Sequence, residues 1–305
     1  MRLYPAWDLP GWAGLGLHFS IKMNLKETAL DWVRSVVGRH IASNVRRFNI
    51  STYLGIPNTN ALGYTAYLGP QEGKVVEVGE QFTLFKLSAT KFLAVLNSLL
   101  TEAASVGDKV RVEGYQLRRF DGSLADGSED PVVNGCRTLV LGGASSLFPA
   151  KWPGRFLGIN EKFADAYKEI INPYLQDMIK QLEELPIDGG RRRVINCLID
   201  AGASAPVFVD PSVDKTGEVA PAIRVTVATR KFAGSVELFY SRADDMYSIR
   251  LHSDATGSET VLDDITFEVL GEALQDAIDD GAWQLARVTV VARPKASKAV
   301  PVQGA

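Results

Sequence analysis

The sequence predicts an α+β chain: two small β-sheet lobes joined by a helical section. Three observations predict it. Short runs alternate apolar and polar residues in both halves, as in Ile223-Arg-Val-Thr-Val-Ala228, which is the two-residue period of a half-buried strand. Other segments repeat apolar residues at steps of three and four, the period of a helix with one buried face. At 305 residues the chain also exceeds the usual length of one domain, about 100–200 residues. The expected layout is an extended arm over 1–22, an α+β lobe over 23–148, a helical connector over 149–200 and a second α+β lobe over 201–305. The first lobe has the strand content of an OB-like barrel, and the second that of a β-meander with one helix.

Residues 1–22 hold Trp7, Pro10, Trp12 and three glycines without either period. Asp8, Pro10 and His18 interrupt what a secretory signal would need, so the segment reads as an arm that packs its aromatics on the body or on a neighbour. A helix is expected from Asn24, with Asn24 and Glu27 placed as a capping box. Leu30, Val33, Val37, Ile41, Val45 and Phe48 form its stripe, and Arg46 and Arg47 would sit near its C-terminal dipole. After an irregular stretch with a short strand at 64–68, strands are expected at Val75–Val78 and Phe82–Leu87, turning at Gly79-Glu80. Ser88 is placed to cap a second amphipathic helix over Lys91–Ala104, through Phe92, Val95, Leu96, Leu99 and Leu100. Lys109–Phe120 returns as a strand, with Gly114 marking a bulge or bend.

The loop Asp121–Asp130 has four acids, but not in the spacing of a helix-loop-helix calcium site. A strand at Arg137–Leu141 and a break at Pro149–Gly158 follow. Apolar residues from Phe163 to Leu182 predict helix, kinked or divided at Pro173. Arg191–Asp200 is short helix or strand, and Ala201–Pro206, small and flexible, is the expected boundary. A meander is expected through Ile223–Ala228, Val236–Tyr240 and Tyr247–Leu251. It is followed by a helix marked by Leu270, Leu274 and Ile278, and by a last strand, Leu285–Ala292.

Composition narrows the function classes. Hydrophobic residues make up 46% and charged residues 23%, which excludes wholesale disorder. The net charge of -3 gives no global signature of a duplex-DNA binder, and the acidity is concentrated in the last hundred residues. Cys136 and Cys197 are too few for a disulfide framework or a zinc module and read as buried small hydrophobes in a reducing, cytoplasmic compartment. No run approaches the roughly 18–20 apolar residues of a membrane helix, so no membrane partner is expected.

Catalytic constellations are not evident. His18, His40 and His252 are isolated, no G-x-S-x-G elbow occurs, and no phosphate-cradling P-loop is present. No metal site or cofactor is expected. Asp214-Lys-Thr-Gly217 after Val207-Phe-Val-Asp210 resembles the phosphorylated aspartate segment of ion pumps, but those have many membrane spans and a loop between strands is the expectation here. Asp244-Asp245, Asp263-Asp264 and Asp279-Asp280 read as solvated charge in a turn and around a helix's ends.

The stronger pattern is basic and aromatic. Lys109, Arg111, Tyr115, Arg118, Arg119 and Phe120 combine phosphate-neutralising cations with rings that stack on bases, each stack contributing about 1–3 kcal/mol. On the other facing, Tyr115 would enter the core with Leu117. Lys86, Lys91, Arg46 and Arg47 can extend the strip, Arg46 and Arg47 being otherwise part of a solvated helix face. Arg191, Arg192 and Arg193 form a second phosphate-contact candidate whose default reading is an ordinary exposed turn. The expectation is a non-enzymatic nucleic-acid-binding protein that prefers single strands. The alternative is a structural protein, such as a phage or mobile-element component, that forms homo-oligomers through the arm and β-lobes.

Overall fold

The computed structural model describes residues 25–59, 65–120, 122–129, 132, 151–152, 155–156 and 170–294. The arm, the strand expected at 137–141 and the helix expected from 163 to 169 lie outside them. Contacts divide the chain into two compact units. The first comprises Met1–Pro57, Leu68–Tyr115 and Gln284–Ala305; the second comprises Asn58–Tyr67 and Gln116–Trp283.

In the first unit, helix α1 (25–37) lies on a six-stranded sheet. The strands are β1 (Asn49–Tyr53), β2 (Gln71–Val78), β3 (Phe82–Lys86), β4 (Lys91–Leu96), β5 (Lys109–Glu113) and β13 (Arg287–Ala292). Their order is β1-β4-β3-β2-β5-β13, antiparallel except for the parallel β1–β4 pair. The sheet is open, with β1 and β13 at its edges, and does not close into the barrel the sequence allowed.

Two cores sandwich this sheet. On one face Val33, Val36 and Val37 of α1 meet Leu84, Phe92 and Ala94. On the other, Val75, Phe85, Leu93, Val95, Val110, Val112 and Val288 pack together. This explains the main misreading of the sequence. Lys91–Ala104 is not a helix but β4 followed by a 3-10 turn, Asn97–Leu99. Because β4 is buried on both faces, its apolar residues run consecutively instead of alternating, and such a run satisfies a helical template. Ser88 sits in the β3–β4 turn, its hydroxyl accepting the Thr90 N–H at 3.3 Å, rather than capping a helix. The helix over Asn24–Phe48 is also shorter than its stripe suggested. It stops at residue 37, where Gly38 enters a 3-10 turn, and Arg46 and Arg47 occupy an exposed segment beyond it.

In the second unit, helices α2 (Pro173–Glu184), α3 (Val194–Asp200) and α4 (Leu270–Ile278) accompany a five-stranded antiparallel meander. The meander runs β8 (Ser204–Val209), β9 (Ala222–Ala228), β10 (Ala233–Ser241), β11 (Met246–Ser253) and β12 (Glu259–Ile265). A two-stranded ladder, β6 (Pro186–Ile187) with β7 (Arg192–Arg193), precedes α3. The central strands of the meander match expectation, and β8 and β12 extend it on either side. Ala201 and Ala203, in the segment read as small and flexible, are buried in the core of this unit.

Pro173 does not kink a helix; it begins α2. Asn172 caps that helix, its side-chain oxygen accepting from the N–H groups of Tyr174 at 3.0 Å and Leu175 at 3.3 Å. Proline at the first helical position loses nothing, because its missing N–H has no intrahelical partner there. Asp210 accepts the N–H groups of Ile171 and Asn172, which occupies the carboxylate that follows β8. Asp214–Gly217 lies between β8 and β9, as a loop was expected to. Asp263 and Asp264 belong to β12 rather than to a helix end. The last strand does not extend the meander: β13 pairs with β5 in the first unit.

Candidate nucleic-acid interface

On β5, Lys109 and Arg111 alternate with the buried Val110 and Val112, so strand geometry alone sends both cations to the face opposite the valines. Register then gathers charge from neighbouring strands. Lys74 on β2 is directly opposite Lys86 on β3 on one side and Lys109 on β5 on the other. Opposed residues share a face, and like charges so placed repel one another. Along the same face Glu72 stands opposite Arg111, Arg111 opposite Thr289, and Arg287 opposite Glu113.

Five cations and three carboxylates thus share the side of the sheet on which α1 packs, the third being Glu77, which stands opposite Leu84 and pairs with His40 and Arg39. The helix covers Leu84, Phe92 and Ala94, while Lys74, Lys109, Arg111, Arg287 and Thr289 remain exposed. Lys109 reaches Glu72 at 2.9 Å, and this hydrogen bond together with the ammonium charge holds the Glu72 carboxyl below its ordinary range. Lys86 lies over the Phe92 ring, 5.9 Å from its centroid, and donates to the His40 carbonyl at 2.6 Å. The Lys74 and Arg287 side chains make no hydrogen bond or ion pair among the described residues. Lys91 is exposed but alternates with Phe92 and so falls on the other face.

No family model, curated protein or solved structure matches this chain significantly.

The predicted strip is not one surface. Its strand ends at Glu113, and Gly114 shows why. A Cβ there would stand 2.5 Å from the Tyr53 ring, so only glycine allows the backbone to pass this close. Immediately beyond, Tyr115 is buried at 6% exposure and its N–H donates to the Tyr53 hydroxyl at 3.0 Å. Its ring therefore takes the inward facing and is withheld from bases. Arg118, Arg119 and Phe120 belong to the second unit. There Arg118 donates to the Gly122 carbonyl at 2.8 Å, Arg119 is buried, and Phe120 packs on the core.

The arginine triplet is built into the second unit as well. Arg192 has its side chain at 0% exposure between Asp188, Asp200 and Asp279, at 2.6, 2.8 and 2.6 Å. Its guanidinium stacks 3.8 Å from the Trp283 ring centroid. Burial opposes its charge, but the three carboxylates prevail and raise its pKa. Arg191 donates to the Asp188 carbonyl and Arg193 to the Glu184 carbonyl. Asp279 and Asp280, expected as solvated charge, are instead structural: Asp280 accepts from the N–H groups of Arg230 and Ala282.

Lys74 and Arg287 were missed by sequence reasoning. Each sits at an outward position of an alternating strand, so the period carried their facing. What placed them beside Lys109 and Arg111 is cross-strand register, which one sequence does not reveal.

Proposed function

We propose that this protein binds nucleic acid, preferring single strands, through phosphate contacts on the exposed β2–β5–β13 part of the six-stranded sheet. The observation that carries this reading is the row Lys86–Lys74–Lys109. Like charges held directly opposite destabilise a sheet, and a polyanion laid along the row relieves that repulsion. With strands about 4.8 Å apart, the row spans roughly 10 Å. A flexible single strand can bring successive phosphates down onto such a surface, whereas a stiff duplex touches a flat face along a narrow line.

Tyr115 offers no ring to stack, so affinity comes from charge and is independent of sequence and steeply salt-sensitive. The test is fluorescence anisotropy with a labelled oligonucleotide, single-stranded and duplex, at low salt. The combined variant Lys74→Ala, Lys109→Ala, Arg111→Ala is expected to weaken single-strand binding at least about tenfold. Wild-type affinity in that variant would refute the proposed surface.

A second reading, homotypic assembly, is favoured by the open sheet edges. Among the described strands, β1, β13, β8 and β12 each pair on one side only, and unpaired edges are templates for another chain. A salt-resistant oligomer in light scattering, with no bound nucleic acid, would favour assembly over strand binding.

A further inference from the structure

The second unit contains a cavity of about 250 Å³ with chemistry opposite to that of the basic sheet face. Helix α2 supplies Tyr174, Asp177 and Gln181, the β10–β11 hairpin supplies Tyr240, Asp245 and Tyr247, and Phe267 stands at the border. Among the described residues, no lysine, arginine or histidine lines it. We propose that this cavity binds a quaternary ammonium group.

The wall is organised by its rings. Tyr174 stacks on Tyr240 with centroids 5.8 Å apart, and Tyr240 meets Tyr247 at 5.5 Å. The Tyr240 hydroxyl donates to Asp245 and the Tyr247 hydroxyl to Gln181, both at 2.6 Å. These bonds fix the rings, and both phenols stay protonated. The Asp245 hydrogen bond, with burial, raises Tyr240 to about 12, and burial raises Tyr247. The Asp177 side chain forms no hydrogen bond or ion pair among the described residues, so its charge is available to a ligand. The ring system already attracts one cation from the chain: the Arg242 guanidinium lies 5.4 Å from the Tyr174 ring centroid.

Carboxylates select a cation, and the rings select its type. A small hard ion needs several oxygen ligands converging at short range. Among the described residues no group of three His, Cys, Asp or Glu side chains is placed to hold a metal. A primary ammonium holds its water shell tightly, and ring surfaces do not replace that water. A quaternary ammonium has no donors, is weakly hydrated, and gains from electron-rich ring surfaces. Phe267, 50% exposed, gives the methyl groups an apolar border. The volume lies below the roughly 300–1,000 Å³ of a drug-sized site, which suits a head group rather than a whole nucleotide.

The test is isothermal titration calorimetry of the full chain with choline, with a peptide bearing trimethyl-lysine, and with 3,3-dimethylbutan-1-ol, the neutral carbon isostere of choline. At least one cationic probe is expected to bind about tenfold or more tightly than the isostere, and the stronger of the two identifies the source of the group. Asp177→Asn, an exposed helix position, is expected to weaken that probe about threefold or more. Tyr174→Leu, which removes a ring but keeps apolar bulk, is expected to weaken it similarly. The proposal is overturned if the isostere binds as well as the cations, or if neither cation binds at about 10 mM. Unchanged affinity in both variants overturns it equally.

Discussion

Arg192 shows how far a side chain's surroundings can depart from what its type suggests. Three consecutive arginines after two glycines read as an ordinary exposed turn, with phosphate contact as the alternative, yet Arg192 is the largest fully buried side chain among the described residues. The signal is not local, because its partners come from residues 188, 200 and 279. Removing one member of a buried charge cluster leaves the others uncompensated, so Arg192→Met is expected to cost about 3–5 kcal/mol in urea unfolding. Asp280 yields a prediction in pH. Burial opposes its ionisation, but hydrogen bonds from the backbone N–H groups of Arg230 and Ala282, with the Arg230 guanidinium, prevail and lower its pKa. A carboxylate whose folded pKa is depressed contributes stability that is present above its unfolded pKa. That stability is lost as pH falls through the folded value. Melting temperatures recorded from about pH 5 to about pH 3 should therefore fall less in Asp280→Asn than in the wild type.

At the scale of elements, alternation was the clear signal, whereas a run buried on both faces read correctly as strand in β3 and wrongly as helix in β4. β9 keeps one exposed face, and the apolar-polar alternation of β9, β10 and β11 could be read directly, although Glu237 and Ser248 on the polar face of β10 and β11 are themselves buried. β4 is buried on both sides, so Phe92, Leu93, Ala94 and Val95 carry no period that separates strand from helix. For α2 the apolar stripe through Leu175, Met178, Ile179 and Leu182 is the buried one, while the role of Pro173 depended on Asn172. Asn172 is 0% exposed and also donates to the Pro211 carbonyl and the Thr216 hydroxyl. Asn172→Ala is therefore expected to cost about 1–3 kcal/mol in chemical denaturation. Gly114 was legible as a break in the strand, but its reason, the Tyr53 ring, is distant in sequence. Gly114→Ala should destabilise the first unit by about 1–3 kcal/mol through overpacking, measurable as a lower denaturation midpoint.

For the whole molecule, the α+β class and the pair of sheets followed from composition and period, whereas the charge pattern of the candidate surface did not. Lys109 and Arg111 could be picked out on their own strand. Lys74 and Arg287 joined them only when β2 and β13 took their places on either side of β5, because register is set by long-range pairing. The expected ring, Tyr115, turned inward one residue beyond a glycine whose packing the sequence does not show. The surface that results is basic without stacking groups, so its binding should be governed by counterion release. The measurement that tests this most directly is the salt dependence of single-strand affinity in the wild type and in the combined Lys74→Ala, Lys109→Ala, Arg111→Ala variant. The wild type should lose affinity linearly in log–log form, and the variant should show a slope shallower by about 2–3. Equal slopes, or no binding by the wild type at low salt, would contradict a phosphate-binding role for this face.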